Sequence, residues 1–342
     1  MTKLIDVRSD TVTRPSEHMR SVMMNAAVGD DVYADDPSTN EFQEFAADLL
    51  GHESSMFLPT GTQSNLVALL THCQRGDEYI VGADAHTYKY EGGGAAVLGG
   101  IQPQTLEFGD NGELDLAKVK NLIKEDDFHF ARTRLLSLEN TQHGRVQSVE
   151  YMKSAQQFAK EHSLKIHLDG ARMANAAVAL GVELKAIGEC FDTVSLCLSK
   201  GLGAPIGSLL FGPKSFIDEA RRWRKVTGGG MRQVGMLAAA GKLALTAGFE
   251  RMHLDHENAN YLAAQMEGVP GVSVKEGWTQ TNMVWLEFDE ACGEALSADA
   301  RAANVLMSAY GRSCRVVTHH DVDKADMDRL VMVVRTFFDK NS

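Results

Sequence analysis

Lys200 and Asp169 are the residues of this 342-residue chain whose surroundings suit chemistry best. Lys200 follows a β-like run at 193–198 and is followed at once by Gly201, Gly203 and Pro205, so its amine sits on a tight loop and not on a solvated helix face. A lysine held that way is poorly hydrated and suited to nucleophilic attack. Asp169 ends an apolar run, 166–168, that reads as a buried strand, and Gly170 then lets the backbone turn into an alanine-rich helix. A carboxylate at such a strand end faces a cleft in most α/β sheets. Each residue alone has a plainer reading, Asp169 as a helix cap and Lys200 as a lysine on a surface turn.

As a pair they fit pyridoxal phosphate, which needs a lysine amine to hold its aldehyde and an acid to keep its pyridine nitrogen protonated. Ser199 before the lysine and the glycines after it sharpen that reading. Other segments offer partners. Gly61, Thr62 and Ser64 open an apolar helix after Pro59, an arrangement that presents amides and hydroxyls to a phosphate or simply caps the helix. Arg232, introduced by Gly228, Gly229 and Gly230, stands at a helix start where its own helix dipole disfavours it, so an external partner is expected. Arg315, within a strand at 314–318, would be an odd core residue and calls for a carboxylate.

The segments RSDTVTRP, GDDVYADDP, PTGTQSNL, DAHTYKYEGGGAA, LENT, HLDGAR, SLCLSKGLGAPIG, GGGMRQVGMLAAA and RVVTHHD follow one another along nearly the whole chain. In this the sequence resembles the threonine aldolases among the fold type I pyridoxal phosphate enzymes. The resemblance implies retro-aldol cleavage of L-threonine or L-allo-threonine to glycine and acetaldehyde, a place in glycine formation, and a homo-oligomer, a tetramer built as a dimer of dimers. It implies that Lys200 carries the cofactor, that Asp169 meets the ring nitrogen, and that Gly61, Thr62, Arg172, Ser199 and Arg232 help to hold it. His86 would stack on the ring and lie near the substrate hydroxyl. Arg172, Arg315 and Ser9 would grip the substrate carboxylate, while Tyr33 and Arg232 would enter the site of a neighbouring subunit. Many members carry histidine directly after the LENT threonine. Here Gln142 stands there and His143 comes one residue later, which on an extended segment redirects the side chain. Neutral imidazole suits the proton transfer, since its pKa of about 6.5 lies near working pH; His86 is the first candidate and His143 the second.

Composition narrows the partners. The formal charge of 34 minus 46, or −12, argues against non-specific binding to nucleic acid or acidic membranes. Five cysteines without paired or regular spacing read as reduced thiols, with Cys197 in the core. No stretch has the length of a membrane span and the first residues lack a secretory apolar region, so a cytoplasmic enzyme is expected. His319 with His320, and His253 with His256, have no evident third ligand, so no metal is expected.

The elements that must position these groups follow from periodicity. Helices are expected at 17–25, 40–50, 61–70, 151–162, 216–225 and 234–245, and strands at 56–58, 78–81, 135–138, 166–168, 193–198 and 206–211. The four aspartates at 29–37 read mostly as a solvated loop, and Gly92, Gly93 and Gly94 as sites of close backbone packing. After Gly248 the pattern changes to a helix at 250–267, strands at 272–274 and 282–288, a helix at 298–310, a strand at 314–318 and a closing helix at 324–338. The expectation is an α/β large domain, 1–248, with a mostly parallel central sheet and a smaller α+β domain, 249–342. The rivals are a β-eliminating lyase or aminotransferase on the same scaffold and a cofactor-binding regulatory protein. A P-loop nucleotide binder is remote, because the glycines follow the lysine.

Overall fold

The computed structural model describes residues 3–341. In chain order its strands are β1 (Ile5–Asp6), β2 (Ser54–Leu58), β3 (Glu78–Gly82), β4 (Gln102–Leu106), β5 (Thr133–Glu139), β6 (Lys165–Gly170), β7 (Thr193–Cys197), β8 (Ser208–Gly212), β9 (Val272–Val274), β10 (Met283–Phe288), β11 (Val305–Leu306), β12 (Ser308–Tyr310) and β13 (Ser313–Val317). Seven of them form the central sheet in the order β2-β8-β7-β6-β5-β3-β4. β3 to β7 run parallel, and β8 runs against both of its neighbours. Helices cover both faces of such a sheet, so β3 and β7 are buried at every residue, the polar Glu78, Thr193 and Ser195 included.

Register is what builds a site here. Glu139 at the end of β5 pairs with Asp169 of β6, and Asp169 pairs with Ser195 of β7. The loops that follow β3, β5 and β7, which carry His86, His143 and Lys200, therefore leave the sheet along one edge, where parallel sheets place their ligands.

The main core centres on Phe42, Phe57, Leu136, Leu168 and Leu196. A second core joins Leu262, Val284, Leu330 and Val334 under the antiparallel sheet β12-β13-β10-β9, and it includes Ile5 and Val7. β1 pairs with β11, so residues 5–7 pack with the C-terminal elements and not with the larger unit to which a boundary at 248 assigns them. The helix expected at 298–310 is also corrected. It spans Gly293–Ala302, Asn304 in a left-handed conformation follows it, and β11 and β12 replace its second half because β12 pairs with β13. β4 gave no apolar signal, and its Pro103 is tolerated because the strand lies at the sheet edge.

Two of the four acids at 29–37 are not solvated, although Asp35 is exposed. Asp31 is buried and bonds buried Arg224 at 2.8 Å, and Asp36 caps the helix Pro37–Leu50 through the amide of Thr39 while also accepting from the amides of Gly29 and Gly235. A Cβ at Gly235 would lie 2.2 Å from that carboxylate, so only glycine fits. Gly92 and Gly93 serve a turn and not close packing: both have positive φ and open space where a Cβ would be. Among the described residues no helix is long and apolar enough to cross a membrane.

Removing one member of a buried ion pair strands the other charge, so Asp31→Ala should lower unfolding free energy by about 3–5 kcal/mol. Urea denaturation checks this, and a loss below about 1 kcal/mol would show that Arg224 finds water or another acid instead.

Candidate active site

A cavity of about 590 Å³ opens at this sheet edge, and Ser9, His86, His143, Arg172, Lys200 and Arg315 all line it. Six residues predicted from distant parts of the sequence thus meet in one place. Glu139, Tyr90, Met283, Trp285 and Tyr310 complete much of the wall.

Lys200 is fixed by its backbone. Its carbonyl accepts from the amide of Gly203 at 2.9 Å and from the hydroxyl of Thr13 at 3.1 Å. Gly203 has φ +85° and a Cβ there would lie 2.7 Å from the His320 ring, so this turn requires glycine. No carboxylate bonds the Lys200 amine among the described residues.

Asp169 is buried at the end of β6. It accepts from Asn65 Nδ2 at 2.9 Å and from the amide of Ala171 at 3.1 Å, which makes it a local cap as well, and no cationic side chain bonds it among the described residues. His86 starts a single helical turn, His86–Lys89, after β3. Its amide donates to Glu139 at 2.7 Å and its Nδ1 lies 2.8 Å from Glu91 Oε1. The bond to Glu91 holds the imidazole above its ordinary range, although burial opposes the shift. Burial pushes Glu91 up as well, but Glu91 Oε1 accepts from both His86 and Asn65, the behaviour of an ionised oxygen, so the proton resides on the imidazole side. Burial, with the Asp169 charge alongside, pushes Glu139 up to about 8.

Arg172 departs from expectation. Its Nε and Nη2 bond both oxygens of Asp10, at 2.9 and 2.6 Å, a buried fork that engages the side chain read as free for a substrate carboxylate. Burial alone would raise Asp10, yet the Arg172 charge and bonds hold it far below the usual carboxylate range. Arg315 makes a single bond, to the carbonyl of Arg8 at 3.3 Å, and no acidic side chain pairs with it among the described residues. The carboxylate expected beside it is thus not supplied by its own neighbours. Ser9 caps the turn Asp10–Val12 at the cavity mouth.

The displaced histidine is in the cavity after all. Gln142 turns inward, bonding Arg145 by side chain and backbone, while His143 takes φ +54° and reaches the cavity wall. Its ring meets Trp285 edge-on at 5.6 Å and stacks near Trp278 at 6.4 Å.

Other expected residues lie outside the lining, as Asp169 itself does. Tyr33 is exposed, and Arg232 bonds Asp30 at 2.6 Å, so the arginine has a partner in its own chain and not only an external one. Gly61 and Thr62 head the helix Gly61–His72, where Thr60 caps through the amide of Gln63 and, among the described residues, no hydrogen bond closes on the first two amides. Ser199 Oγ lies 3.5 Å from Cys197 Sγ, and Cys197 is buried as expected. His319, His320, His253 and His256 each go to a different partner: the carbonyls of Asp6, Arg14 and Glu250, and the side chain of Asn175. Ligand-type atoms of His86, Glu91 and Asp169 come within 4.8 Å of one another, and the Asn65 and His86 hydrogen bonds account for their convergence. Asp10, Asn65, Glu91 and Glu139 are site residues that spacing did not reveal. Their signal is membership of the segments RSDTVTRP, PTGTQSNL, DAHTYKYEGGGAA and LENT, within which nothing singles them out.

A mostly parallel α/β sheet with a lysine and an acid at adjoining strand ends suits several classes of enzyme, and residues 6–289 match the family described as Beta-eliminating lyase. The chain is 52% identical over 334 residues to the low specificity L-threonine aldolase of Escherichia coli K12, covering 98% of this chain and 99% of that protein. It is 35% identical over 343 residues to the low specificity L-threonine aldolase of Saccharomyces cerevisiae, covering 98% and 86%. The solved threonine aldolase of Leishmania major superposes with a TM-score of 0.83 at 20% identity, over 97% of this chain and 99% of that one, a likeness of fold. The chain belongs to the threonine aldolases of the β-eliminating lyase family.

Burial, aided by the Arg145 charge, pushes His143 down to about 4. Histidine-selective NMR should therefore find this ring neutral from about pH 5 upward and protonating only as pH falls through about 4; a midpoint above 6 would contradict its desolvation.

Proposed function

We propose that the chain cleaves β-hydroxy-α-amino acids, L-threonine and L-allo-threonine first among them, to glycine and an aldehyde such as acetaldehyde, with pyridoxal phosphate as cofactor. The observation that carries the reading is that Lys200, which lines the cavity, follows β7, while the buried Asp169 stands near the end of the neighbouring strand β6.

The residues present suit the cofactor. Asp169 is a buried acid without a cationic partner, which a protonated pyridine nitrogen would supply. Ser208 Oγ is buried without a hydrogen-bond partner and lies 3.4 Å from where a Gly61 Cβ would stand, beside the free amides of Gly61 and Thr62. An orphaned hydroxyl and two amides form a donor set fit for a phosphate. When bound, pyridoxal phosphate draws electrons from the bonds at the substrate Cα.

The chain's own groups would do the rest. Lys200 would hold the cofactor and yield to the substrate amine. Arg315, with Ser9, would take the substrate carboxylate, and so fix rotation about Cα. Arg172 would support that grip from its anchorage on Asp10. His86 would accept the β-hydroxyl proton, and His143, neutral in the working range, would hydrogen-bond the same hydroxyl. Trp285 and Tyr310 would limit water around the breaking bond.

The reading extends to assembly. Tyr33 and Arg232 flank Asp30 on a surface outside the cavity, which suits residues that complete the site of a second copy in a homo-oligomer built as a dimer of dimers. A cytoplasmic role in glycine formation goes with this activity. The domain division we propose follows the two cores, large for 8–248 and small for 249–342 with 5–7 added.

Purified protein given L-threonine should release acetaldehyde and glycine in equal amounts; ammonia with a keto acid would indicate elimination or transamination instead. Borohydride should fix the cofactor covalently on the peptide containing Lys200, and Lys200→Ala should lower cleavage by about 10³-fold or more. Arg232→Ala should weaken cofactor retention, and mixed with Lys200→Ala subunits it should regain part of the activity; no recovery in proven mixed oligomers would exclude shared sites.

A further inference from the structure

Behind His86 the hydrogen bonds form one largely buried chain, in which the cleavage scheme gives roles to His86 and Asp169 but none to the residues that join them. His72 Nε2 lies 2.7 Å from Thr193 Oγ1, and that hydroxyl lies 2.9 Å from His167 Nδ1. His167 Nε2 is 3.3 Å from Asn65 Oδ1, and Asn65 Nδ2 is 2.9 Å from both Glu91 Oε1 and Asp169 Oδ2. Glu91 Oε1 in turn meets His86 Nδ1 at 2.8 Å.

What each group can donate fixes the direction of every bond. Two carboxylates only accept, so the end of Asn65 that faces them is its NH₂ group, and its carbonyl faces His167. Burial pushes both His167 and His72 down to about 3, so each ring is neutral and carries one N–H. His167 therefore donates from Nε2 to Asn65 and accepts at Nδ1 from Thr193, whose oxygen accepts from His72. All the donors in the chain point toward Glu91 and Asp169. With the amide of Asn65 bridging them, those two acids are held in place and partly neutralised.

We propose that Glu91 is a positioning residue for His86: it accepts the Nδ1 proton of the ring and so leaves Nε2 as the nitrogen that meets a substrate in the cavity, with Asn65 fixing Glu91 against Asp169. The logic is that of an acid orienting a histidine so that one tautomer is presented. The amide of His86 is fixed separately, by Glu139 of β5, so backbone and ring are held by two different acids. The titratable and charged groups facing His86 are Glu91 and Tyr90 beyond its own turn, Glu139 from β5, Asp169 from β6 and Lys200 after β7. Of these, Glu91 bonds the ring. Glu91 is thereby separated from a filler role, since a buried acid with no ring to orient would be better replaced by an amide.

The inference rests on the proposed cleavage only for the identity of the substrate, and the test separates the two. In cofactor-loaded wild-type enzyme labelled with ¹⁵N-histidine, His86 above its titration range should carry its proton on Nδ1. Glu91→Gln keeps the shape and the acceptor but removes the charge. It should lower the His86 midpoint by about 1 pH unit or more, move the acid limb of kcat/KM by the same amount, and reduce kcat about tenfold with little change in KM. Glu91→Asp, which keeps the charge on a shorter arm, should recover part of each effect. A wild-type His86 protonated on Nε2 overturns the inference, and so does an unchanged midpoint in Glu91→Gln. Should Glu91→Gln fail to fold, the wild-type tautomer alone decides. If the wild type cleaves no β-hydroxy-α-amino acid, the functional reading fails while the tautomer and the titration still settle the role of Glu91.

Discussion

Crowding of buried carboxylates at one sheet edge is the constraint on which the rest of this structure depends. Register sets Glu139 beside Asp169, and Glu91 is drawn in by His86 and Asn65. Burial and the neighbouring Asp169 charge push Glu91 up and carry Glu139 to about 8. The chain answers with donors that carry no charge, the amides of His86, Ala171 and Asn65, and leaves its amine and Arg315 without an acid partner among the described residues. An edge rich in anions, with cations held back in the same cavity, is suited to a ligand that brings a cationic ring nitrogen at one end and an anionic group at the other.

The N-terminal segment ties this edge to the second core. β1 adds to β11, the carbonyl of Val7 accepts from Val317, Asp10 takes the guanidinium of Arg172 and the amide of Asn282, and Thr13 bonds the carbonyl of Lys200. Within nine residues the chain touches both cores, one arginine and the lysine loop. Arg172 is consequently a fixed wall of the cavity, whereas Arg315, from β13, keeps most of its donors available, and the two arginines that the sequence treats alike have different electrostatic settings.

Much of the sheet could be read from sequence because buried parallel strands are short runs rich in apolar residues, as at 166–168 and 193–198, where His167, Thr193 and Ser195 are the polar exceptions. The ends of those runs also gave Asp169 and Lys200, and the motif order gave His86, Arg172 and Arg315. What periodicity could not give was pairing decided in three dimensions. β12 sits where local preference reads helix, because β13 offers it a ladder. Asp31 and Asp36 look like solvated acids until Arg224 and the Gly235 amide are brought to them. His143, left-handed at φ +54°, lines the cavity while Gln142 is held on Arg145, a placement that the order of the two residues does not give.

The account comes down to whether one ligand spans Lys200 and Asp169. A crystal structure of the protein grown with saturating pyridoxal phosphate decides it most directly. The account predicts density continuous with the Lys200 amine, with the ring nitrogen within hydrogen-bonding distance of the Asp169 carboxylate. A cofactor bound elsewhere, or a ring nitrogen turned away from Asp169, would contradict it.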